Sequence, residues 1–522
     1  MARAADFDLA KELARPSFTP GARDAAALVA LIIAGDEPAT TRAAAAIAKL
    51  GDAGRAAIEA ATSDDDGARA RLVAALGLLA RGGDGEARAR VIAATGDPTS
   101  RVRKAAAIAL GKLGGDDACA ALLARWDAGD AAPDERRALA EALGKVGGEA
   151  ALARLRALGA SDDAELMRRR DRAVLMADRT ARRDDASSIV GDAAPAAPIT
   201  VQLGCRPGLG SLLIEELAAL RISAQPLGDR GAELRLTAPL ASLFAARLWA
   251  TLALPIALPP GELVGAIVRT ITAPSTLAVL RGWTRGAIRW RLGFAEGHKR
   301  AIVWRVARDV TAAVPELIND PTATTWDFLV DDAARTLALV PRRLDDPRFA
   351  YRVADIAAAS HPSVAAALVY AAEPRPDDRV WDPFCGSGLE LIERARRGPA
   401  RALLGSDLDP AALDAARANL AAAEVAAQLV LADARGHAPG PVDLIVTNPP
   451  LGSRVQLDAA ALLVAALPGF ARALAPRGRL VWITPSPRKT SPVAEQLGLH
   501  RTRALPVDLG GVRGQLERWD RR

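Results

Sequence analysis

The chain has 522 residues, of which 50% are hydrophobic, and a net charge of +6. At roughly 150 residues per domain, this length predicts about three or four domains rather than a single core. No segment reaches about 18 apolar residues free of charge and proline, and the N-terminus lacks the apolar run of a secretory signal. Three widely separated cysteines without a CxxC pair argue against zinc. We therefore expect a cytoplasmic protein without a membrane segment or a metal site.

The charge is unevenly divided along the chain. Residues 1–200 carry 29 basic and 30 acidic side chains, whereas residues 201–522 carry 39 and 32. The basic excess lies entirely in the C-terminal part. A polyanionic partner is therefore expected to bind there rather than at the N-terminal third.

Four alanine-rich segments recur in the N-terminal third. When Ile47, Leu76, Leu110 and Leu143 are aligned, the spacings are 29, 34 and 33 residues. Each segment predicts an amphipathic helix that ends at glycine and is followed by a second short helix. This period resembles HEAT-type repeats, which stack into an α-solenoid and offer a long surface to a protein partner. The alternative is that alanine-rich helical hairpins recur through compositional bias.

The repeats are predicted to fill residues 1–185, and the Asp-, Ala- and Pro-containing residues 186–198 predict a linker. Beyond it, residues 199–205 are strand-like and residues 206–220 predict a helix after a glycine-containing turn. Residues 232–238 then alternate as a second strand. This βαβ beginning predicts a small α+β domain.

Residues 280–308 combine arginines with aromatic side chains. In the strand-like stretch AIRWRLGF, Ile288 and Trp290 fall on one face, while Arg289 and Arg291 fall on the other. Such interleaving suits a nucleic-acid backbone with splayed bases and favours RNA as a partner. The alternative is a solvated basic face over an ordinary core. The candidate RNA-binding residues here are Arg281, Arg285, Arg289, Arg291, Lys299, Arg300, Arg305 and Arg308.

A glycine loop follows an apolar strand near residue 380. The loop, DPFCGSG at 382–388, precedes a helix, and its glycines let a ligand approach exposed helix N-terminal amides. The next strand ends on Asp407, 19 residues past Gly388, and an acid at such a strand tip can bind the two hydroxyls of a ribose. The GxGxxG and P-loop patterns are missing, so a dinucleotide or nucleoside triphosphate is not the best ligand. Alternatively, Asp407 and Asp409 only begin a helix.

Two further strands complete the pattern. A third ends near Asp433, and a fourth ends at Asn448, which Pro449 and Pro450 follow. The order DPFCGSG, GSDLDP, ADAR, TNPPL resembles the class I S-adenosylmethionine-dependent methyltransferases, in particular their amino-methylating branch. Residues 199–372 resemble, more loosely, the THUMP-containing RNA guanine-N2 methyltransferases, which act on tRNA or large-subunit rRNA.

The resemblance implies a multidomain fold. A ferredoxin-like domain would occupy residues 199–260 and a THUMP-like RNA-binding module residues 261–341, both α+β. A Rossmann-like α/β class I methyltransferase domain would occupy residues 342–522. The N-terminal α-solenoid would precede them.

The resemblance also implies S-adenosylmethionine as cofactor and a set of site residues. Gly386 and Gly388 would face its methionine end, Asp407 its ribose and Asp433 its adenine, although Asp433 could also be a solvated turn residue. Cys385 is better explained as a small packing residue than as a nucleophile. The full implied cofactor-binding set is Asp382, Pro383, Phe384, Cys385, Gly386, Gly388, Asp407, Asp433 and His361.

The implied catalytic residues are Asn448, Pro449, Pro450 and Leu451. The side-chain carbonyl of Asn448 and the backbone carbonyl of Pro449 would accept the two hydrogens of a guanine amine and orient its lone pair. Relatives usually carry Tyr or Phe at the position of Leu451 to stack on the base, and leucine covers a ring less well. Arg454, close behind, would contact RNA or cap a surface loop.

The sequence is compatible with three functions. The favoured one is N2-methylation of guanine in tRNA or rRNA. The second is N5-methylation of a protein glutamine, because that chemistry shares the Asn-Pro-Pro-aromatic motif. The third is a HEAT scaffold whose methyltransferase domain is weak or inactive, and it is motivated by Leu451.

Overall fold

The computed structural model describes residues 8–15, 19–181, 185–356, 361–451 and 458–522. Arg454 lies outside these ranges, so its predicted RNA contact stays a prediction. Within them, a helical N-terminal third leads into a mixed central part and then into a C-terminal α/β part.

The N-terminal third is a stack of helices. The aligned positions Ile47, Leu76, Leu110 and Leu143 are all buried, as the repeat predicts. The helices are α1 (Leu9–Glu12), α2 (Ala25–Ala34), α3 (Ala39–Ala48), α4 (Asp52–Glu59), α5 (Asp66–Arg81), α6 (Gly85–Ala93), α7 (Ser100–Leu113), α8 (Asp116–Asp127), α9 (Pro133–Val146), α10 (Glu149–Ala157) and α11 (Ala164–Ala181). Helices α7 and α9 end, as predicted, at glycines with positive φ, which tolerate that backbone without a steric cost.

A glycine after the aligned leucine explains how closely the repeats stack. A Cβ at Gly111 on α7 would lie 2.8 Å from the Cα of Ala142 on α9. A Cβ at Gly144 on α9 would lie 2.5 Å from the Cα of Ala173 on α11. The recurring Leu-Gly pair therefore combines a core side chain with a close helix–helix contact.

The predicted linker is in part a strand. Residues Ser187–Ile189 form β1, which pairs antiparallel with Thr284–Gly286, so the connection is attached to the central part by backbone hydrogen bonds. The solenoid is attached there as well, because the guanidinium of Arg172 lies 4.7 Å from the ring centroid of Trp304. The Nε of Arg179 donates to the backbone oxygen of Asn319 at 3.0 Å.

One sheet runs through the central part. Its order is β3-β4-β2-β5-β10-β9-β7-β8, and the antiparallel β5–β10 pair joins the two halves that the sequence assigns to separate modules at 199–260 and 261–341. The strands of this sheet are β2 (Ile199–Gly204), β3 (Ala224–Pro226), β4 (Gly231–Leu236), β5 (Thr251–Ala257), β7 (Ile288–Phe294), β8 (Leu317–Asn319), β9 (Trp326–Asp331) and β10 (Thr336–Pro341). Strand β6 (Thr284–Gly286) lies outside it and pairs with β1. The helices are α12 (Gly210–Ala219), α13 (Leu263–Ile271), α14 (Pro274–Trp283) and α15 (Arg300–Ala313).

The C-terminal part is a doubly wound α/β unit. Its sheet order is β13-β12-β11-β14-β15-β17-β16, parallel except for β17, which is antiparallel to both neighbours. The strands are β11 (Arg379–Asp382), β12 (Ala402–Asp407), β13 (Gln428–Leu431), β14 (Val442–Thr447), β15 (Leu474–Thr484), β16 (Leu499–Asp508) and β17 (Arg513–Arg521). The helices are α16 (Pro362–Ala371), α17 (Leu389–Arg396), α18 (Pro410–Ala422), α19 (Ala459–Ala473) and α20 (Pro487–Gln496).

Two buried glutamates attach the central part to the C-terminal part. The Glu216 carboxylate of α12 accepts from the backbone nitrogens of Arg247 and Leu248 and pairs with Arg397. The Glu393 carboxylate of α17 accepts from the Arg247 Nε at 2.6 Å and from the Tyr351 hydroxyl at 2.5 Å. Each buried charge thus has partners, so the two parts meet in a defined orientation.

No single helix in the described residues is long and apolar enough to cross a membrane. Helices α13 and α14 together have the length and apolar composition of a membrane-spanning segment, but a 50° bend separates them. Their side chains Ile267, Ile271, Leu280 and Trp283 belong to the buried core of the central part.

Candidate cofactor and substrate site

Four parallel strands end around one cavity. Strands β13, β12, β11 and β14 are neighbours, so their carboxyl ends lie at the same edge of the sheet, where ligands bind in open α/β folds. The cavity there has a volume of about 860 Å³. The predicted site residues among those lining it are His361, Pro383, Phe384, Cys385, Gly386, Asp407, Asp433, Asn448, Pro449, Pro450 and Leu451.

The glycine loop is held by the neighbouring strand. The backbone nitrogen of Gly386 donates to the Oδ2 of Asp407 at 2.9 Å, and that of Cys385 donates to the Ser406 oxygen at 3.0 Å. Gly386 and Gly388 have φ values of +50° and +83°, which favour glycine. Burial raises the pKa of the Cys385 thiol, so it stays protonated and acts as a packing group, as the sequence indicates.

Two acidic side chains mark the tips of β12 and β13. Asp407 accepts from the backbone nitrogen of Asp409 at 3.0 Å through Oδ1, in addition to its Gly386 bond. Asp433 accepts a hydrogen bond from the Nε of Arg435 at 3.0 Å. This charged hydrogen bond, together with one from the Arg435 backbone nitrogen, lowers the pKa of Asp433. Both carboxylates therefore keep fixed positions at the edge of the cavity.

Asp382 lies beneath the loop and ties β11 to β14. Its side chain is fully buried, and its Oδ1 accepts from the Thr447 hydroxyl at 2.6 Å and from the Phe384 nitrogen at 3.1 Å. Burial and the nearby Glu390 raise the pKa of Asp382 well above its usual value. Thr447 directly precedes Asn448, so this bond places Asn448 beside the glycine loop. Pro449 is buried, whereas Asn448 and Leu451 are half-buried.

Comparisons with known proteins agree with this geometry. Residues 350–515 match the UPF0020 family, described as RMKL-like, methyltransferase domain, and residues 53–133 match HEAT repeats. The C-terminal part is a methyltransferase domain. The HEAT interpretation of the N-terminal repeats is likewise confirmed.

Two relatives illustrate the extent of the likeness. The chain is 33% identical over 93 residues to ribosomal RNA small subunit methyltransferase C of Escherichia coli, which is 17% of this chain and 27% of that protein. The chain thus spans about a quarter of the curated relatives that it matches. The crystal structure of TrmN from Thermus thermophilus aligns with a TM-score of 0.51 at 27% identity, covering 62% of this chain and 100% of that one.

S-adenosylmethionine is the cofactor of the methyltransferase domain. The residues of the cavity fit it. Gly386 and Ile356 both line the cavity, and a Cβ at Gly386 would lie 3.4 Å from the Ile356 Cδ1, so glycine keeps this part of the loop open to a ligand. Of the predicted cofactor-binding residues, Asp382 and Gly388 do not line the cavity. Acidic groups, including Asp407 and Asp433, suit the hydroxyls and amino groups of such a ligand.

His361 caps the first helix of the methyltransferase domain. Its Nδ1 accepts from the Ser363 nitrogen at 3.2 Å at the N-terminus of α16. Burial, together with the positive charges of Arg206, Arg352 and Arg348, lowers the pKa of His361 to about 4. The imidazole is therefore neutral at neutral pH and presents a polar but uncharged group to the cavity.

We expect His361 to make the folded state sensitive to acid. An unfolded histidine has a pKa near 6.5, whereas His361 in the folded chain titrates at about 4, so the unfolded state binds the proton first. Stability should fall as the pH drops from about 6.5 towards 4. His361→Asn, which keeps a capping oxygen, should weaken this fall when urea unfolding is followed at several pH values.

His500→Asn, at an exposed position on β16, is the matched control for that measurement. It should reproduce the pH dependence of the unchanged protein. If the free energy of unfolding falls equally steeply with decreasing pH in His361→Asn and in the unchanged protein, His361 is not the source of the acid sensitivity.

Several residues that line the cavity were not predicted from the sequence. Arg206 comes from the turn after β2, and Arg352 and Ile356 come from the segment before α16. Leu509 and Val512 come from the β16–β17 hairpin. These residues have no local motif. Packing of the central part on the methyltransferase domain brings Arg206 to the cavity, and the fold of the methyltransferase domain itself brings the other four.

The predicted RNA-binding residues divide by environment. Arg289 is 1% exposed, and its Nη1 donates to the Oδ2 of Asp320 at 2.9 Å. The prediction that Arg289 binds RNA is therefore wrong, because its face of β7 is covered by other residues. Several others are accessible but paired with a carboxylate, namely Arg281, Arg291, Lys299, Arg305 and Arg308. Arg285 on β6 and Arg300 at the start of α15 are exposed.

Proposed function

We propose that the protein is an RNA methyltransferase that transfers a methyl group to the exocyclic N2 amine of guanine in tRNA or rRNA. The observation that carries the proposal is the position of Asn448-Pro449-Pro450 at the tip of β14, hydrogen-bonded through Thr447 to Asp382 and lining one cavity with the glycine loop. The similarity to a ribosomal RNA methyltransferase supports RNA as the substrate.

The protein's contribution to the chemistry is orientation of the amine. The nitrogen of an exocyclic guanine amine is a poor nucleophile because its lone pair is delocalised into the ring. The Asn448 side-chain carbonyl and the Pro449 backbone carbonyl accept its two hydrogens and direct the lone pair away from the ring plane. Proline contributes an acceptor without a competing N–H, which explains the two prolines after the strand.

S-adenosylmethionine supplies an electrophilic methyl group when bound. The amine nitrogen that receives the methyl group would release a proton to solvent. This needs no strong general base, because the amine becomes acidic once it is methylated. The orienting contacts act most strongly on the pyramidal nitrogen of the transition state, as differential binding requires.

The cavity has room for a base as well as a cofactor. Its volume of about 860 Å³ lies towards the upper end of the roughly 300–1,000 Å³ typical of ligand pockets. A guanine in a helix must be extruded, or be single-stranded, to reach Asn448. The aliphatic side chains Leu451, Leu462 and Leu509 line the cavity and supply the apolar surface for the ring.

We further propose that the central part acts as the RNA-binding module, corresponding to the THUMP-like assignment. The predicted RNA-binding cations that are exposed lie on α14, β6 and α15 and suit phosphate groups, whose binding depends on salt. The domain limits at 199, 261 and 342 remain part of this proposal, as does a protein partner for the solenoid. These exposed candidates are Arg281, Arg285, Arg300, Arg305 and Arg308.

The deciding experiment is a transfer assay with labelled S-adenosylmethionine and total RNA from a strain that lacks the gene. Mass spectrometry of nucleosides from the tRNA and rRNA fractions should show N2-methylguanine. Label in a protein glutamine instead would favour the protein methyltransferase. Cofactor binding without transfer to either would favour a scaffold with an inactive domain.

Leu451 allows a sharper test of where the base lies. If the ring packs at this position, Leu451→Phe should tighten RNA binding about 3- to 10-fold, the factor expected from an added aromatic contact. Affinity is measured by fluorescence anisotropy with a single-stranded RNA that contains one guanine. The affinity for S-adenosylhomocysteine is the internal control and should not change. An unchanged RNA affinity would mean that the base is held elsewhere.

A further inference from the structure

An arginine from the central part enters the cavity of the methyltransferase domain. Arg206 lies in the turn between β2 and α12, and among the described residues it is the one member of the central part that lines the cavity. It faces the same wall as Arg352 and His361, and it is the nearby cation that contributes most to the lowered pKa of His361.

Arg206 differs from the other arginines of the cavity in forming no ion pair among the described residues, and the nearby Asp508 carboxylate interacts with it only at longer range. Arg352 pairs with Asp355 at 2.7 Å, and the Nε of Arg435 lies 3.0 Å from Asp433. The Arg206 guanidinium has no ion pair within 4.0 Å and no side-chain hydrogen bond to any residue in the described ranges. Its Nε is buried as well. A partly buried guanidinium without a directly bonded partner carries a desolvation cost that an anionic ligand would offset.

The turn that carries Arg206 is attached on both sides. The nitrogen of Asp508 in the methyltransferase domain donates to the Pro207 oxygen at 3.0 Å. Within the central part, the nitrogens of Gly208 and Gly210 donate to the Asp229 oxygen at 2.9 and 3.1 Å. Gly208 has a φ of +93°, and a Cβ there would lie 1.8 Å from the Pro506 oxygen, so only glycine permits this approach. The backbone that carries the Arg206 guanidinium is therefore held in place before a ligand binds, which lowers the entropy cost of binding.

We propose that Arg206 binds an oxyanion in the methyltransferase cavity. A planar guanidinium matches the two oxygens of a carboxylate or of a phosphate. Two groups in the proposed reaction have this chemistry: the amino-acid carboxylate of the cofactor, and a phosphate next to the target nucleotide. The phosphate source rests on the proposed function, whereas the carboxylate source needs only the cofactor.

The test compares Arg206→Leu, Arg206→Lys and the unchanged protein in two binding measurements. Calorimetry gives the Kd for S-adenosylhomocysteine and for methylthioadenosine, which lacks the amino-acid group. Anisotropy gives the Kd for a single-stranded RNA oligonucleotide. Arg230→Leu is the matched control, because Arg230 is an exposed arginine of the same part that does not line the cavity.

If the carboxylate is the ligand, Arg206→Leu should weaken S-adenosylhomocysteine about 10- to 100-fold, as expected for a charge-assisted bond, and leave methylthioadenosine unchanged. If the phosphate is the ligand, RNA binding should weaken by a similar factor while both small ligands bind normally. Arg206→Lys, which keeps the charge but loses the planar fork, should fall between Arg206→Leu and the unchanged protein.

Affinities within about twofold of the unchanged protein in every measurement would overturn the proposal. If Arg206→Leu fails to fold, Arg206→Lys and Arg206→Gln are measured instead and decide by the same criteria. The cofactor measurement requires no methylation of RNA. A protein that proves inactive on RNA can therefore still confirm or refute the carboxylate assignment.

Discussion

Asn448→Ala is expected to lower kcat about 10²- to 10³-fold, the loss typical of removing one positioned polar group that acts in the transition state. Asn448 follows β14 directly, and the preceding Thr447 is bonded to Asp382 below the glycine loop. In the proposed mechanism, the side-chain carbonyl lost in the variant is the acceptor that orients the amine. The measurement is single-turnover methyl transfer to RNA with saturating cofactor.

The affinity of Asn448→Ala for S-adenosylhomocysteine should stay within about twofold, since Asp382, Gly386 and Asp407 are unchanged. Asn448→Asp retains an acceptor oxygen in the same place and should keep more activity than the alanine variant. Equal rates for Asn448→Ala and the unchanged protein would falsify the role of this side chain.

Asp407→Ala is expected to weaken cofactor binding about 10- to 100-fold, as when a carboxylate that accepts two hydroxyl hydrogen bonds is removed. The carboxylate also orders the loop, because its Oδ2 accepts from the Gly386 nitrogen and its Oδ1 from the Asp409 nitrogen. The variant loses these two loop hydrogen bonds and, in the proposed site, the contact with the ribose. Calorimetry with S-adenosylhomocysteine measures the change.

Asp414→Ala is the matched control for this second prediction. Asp414 is an exposed carboxylate on α18 that pairs with Arg417 and does not line the cavity. Its removal should leave the Kd unchanged. Parental affinity in Asp407→Ala would show that the ribose is held by other residues.

The features that the sequence predicts well are local or periodic. The repeat of Ile47, Leu76, Leu110 and Leu143 follows from the spacing of apolar residues, and each of these side chains is buried. The cavity residues of the glycine loop, Asp407 and Asn448 can be placed because each lies at the end of a strand of a parallel sheet or directly after it. Strand ends in such a sheet share one edge, so their order in the chain already predicts their proximity.

Other features depend on contacts between distant segments. The β5–β10 pair makes one sheet of two predicted modules, and β1 makes part of a predicted linker into a strand. Alternation along β7 correctly separates Arg289 from Trp290, but it does not reveal that the Arg289 face is covered and holds Asp320.

The sequence by itself thus determined the repeats, the order of the methyltransferase strands and the residues at their tips, because these depend on periodicity and on neighbours in the chain. Only the tertiary structure decided which arginines are buried or paired and which one enters the cavity. Arg206 lies about 150 residues from the nearest other lining residue in sequence. Its position depends on the close approach of Gly208 to Pro506, a contact between two domains that no local pattern encodes.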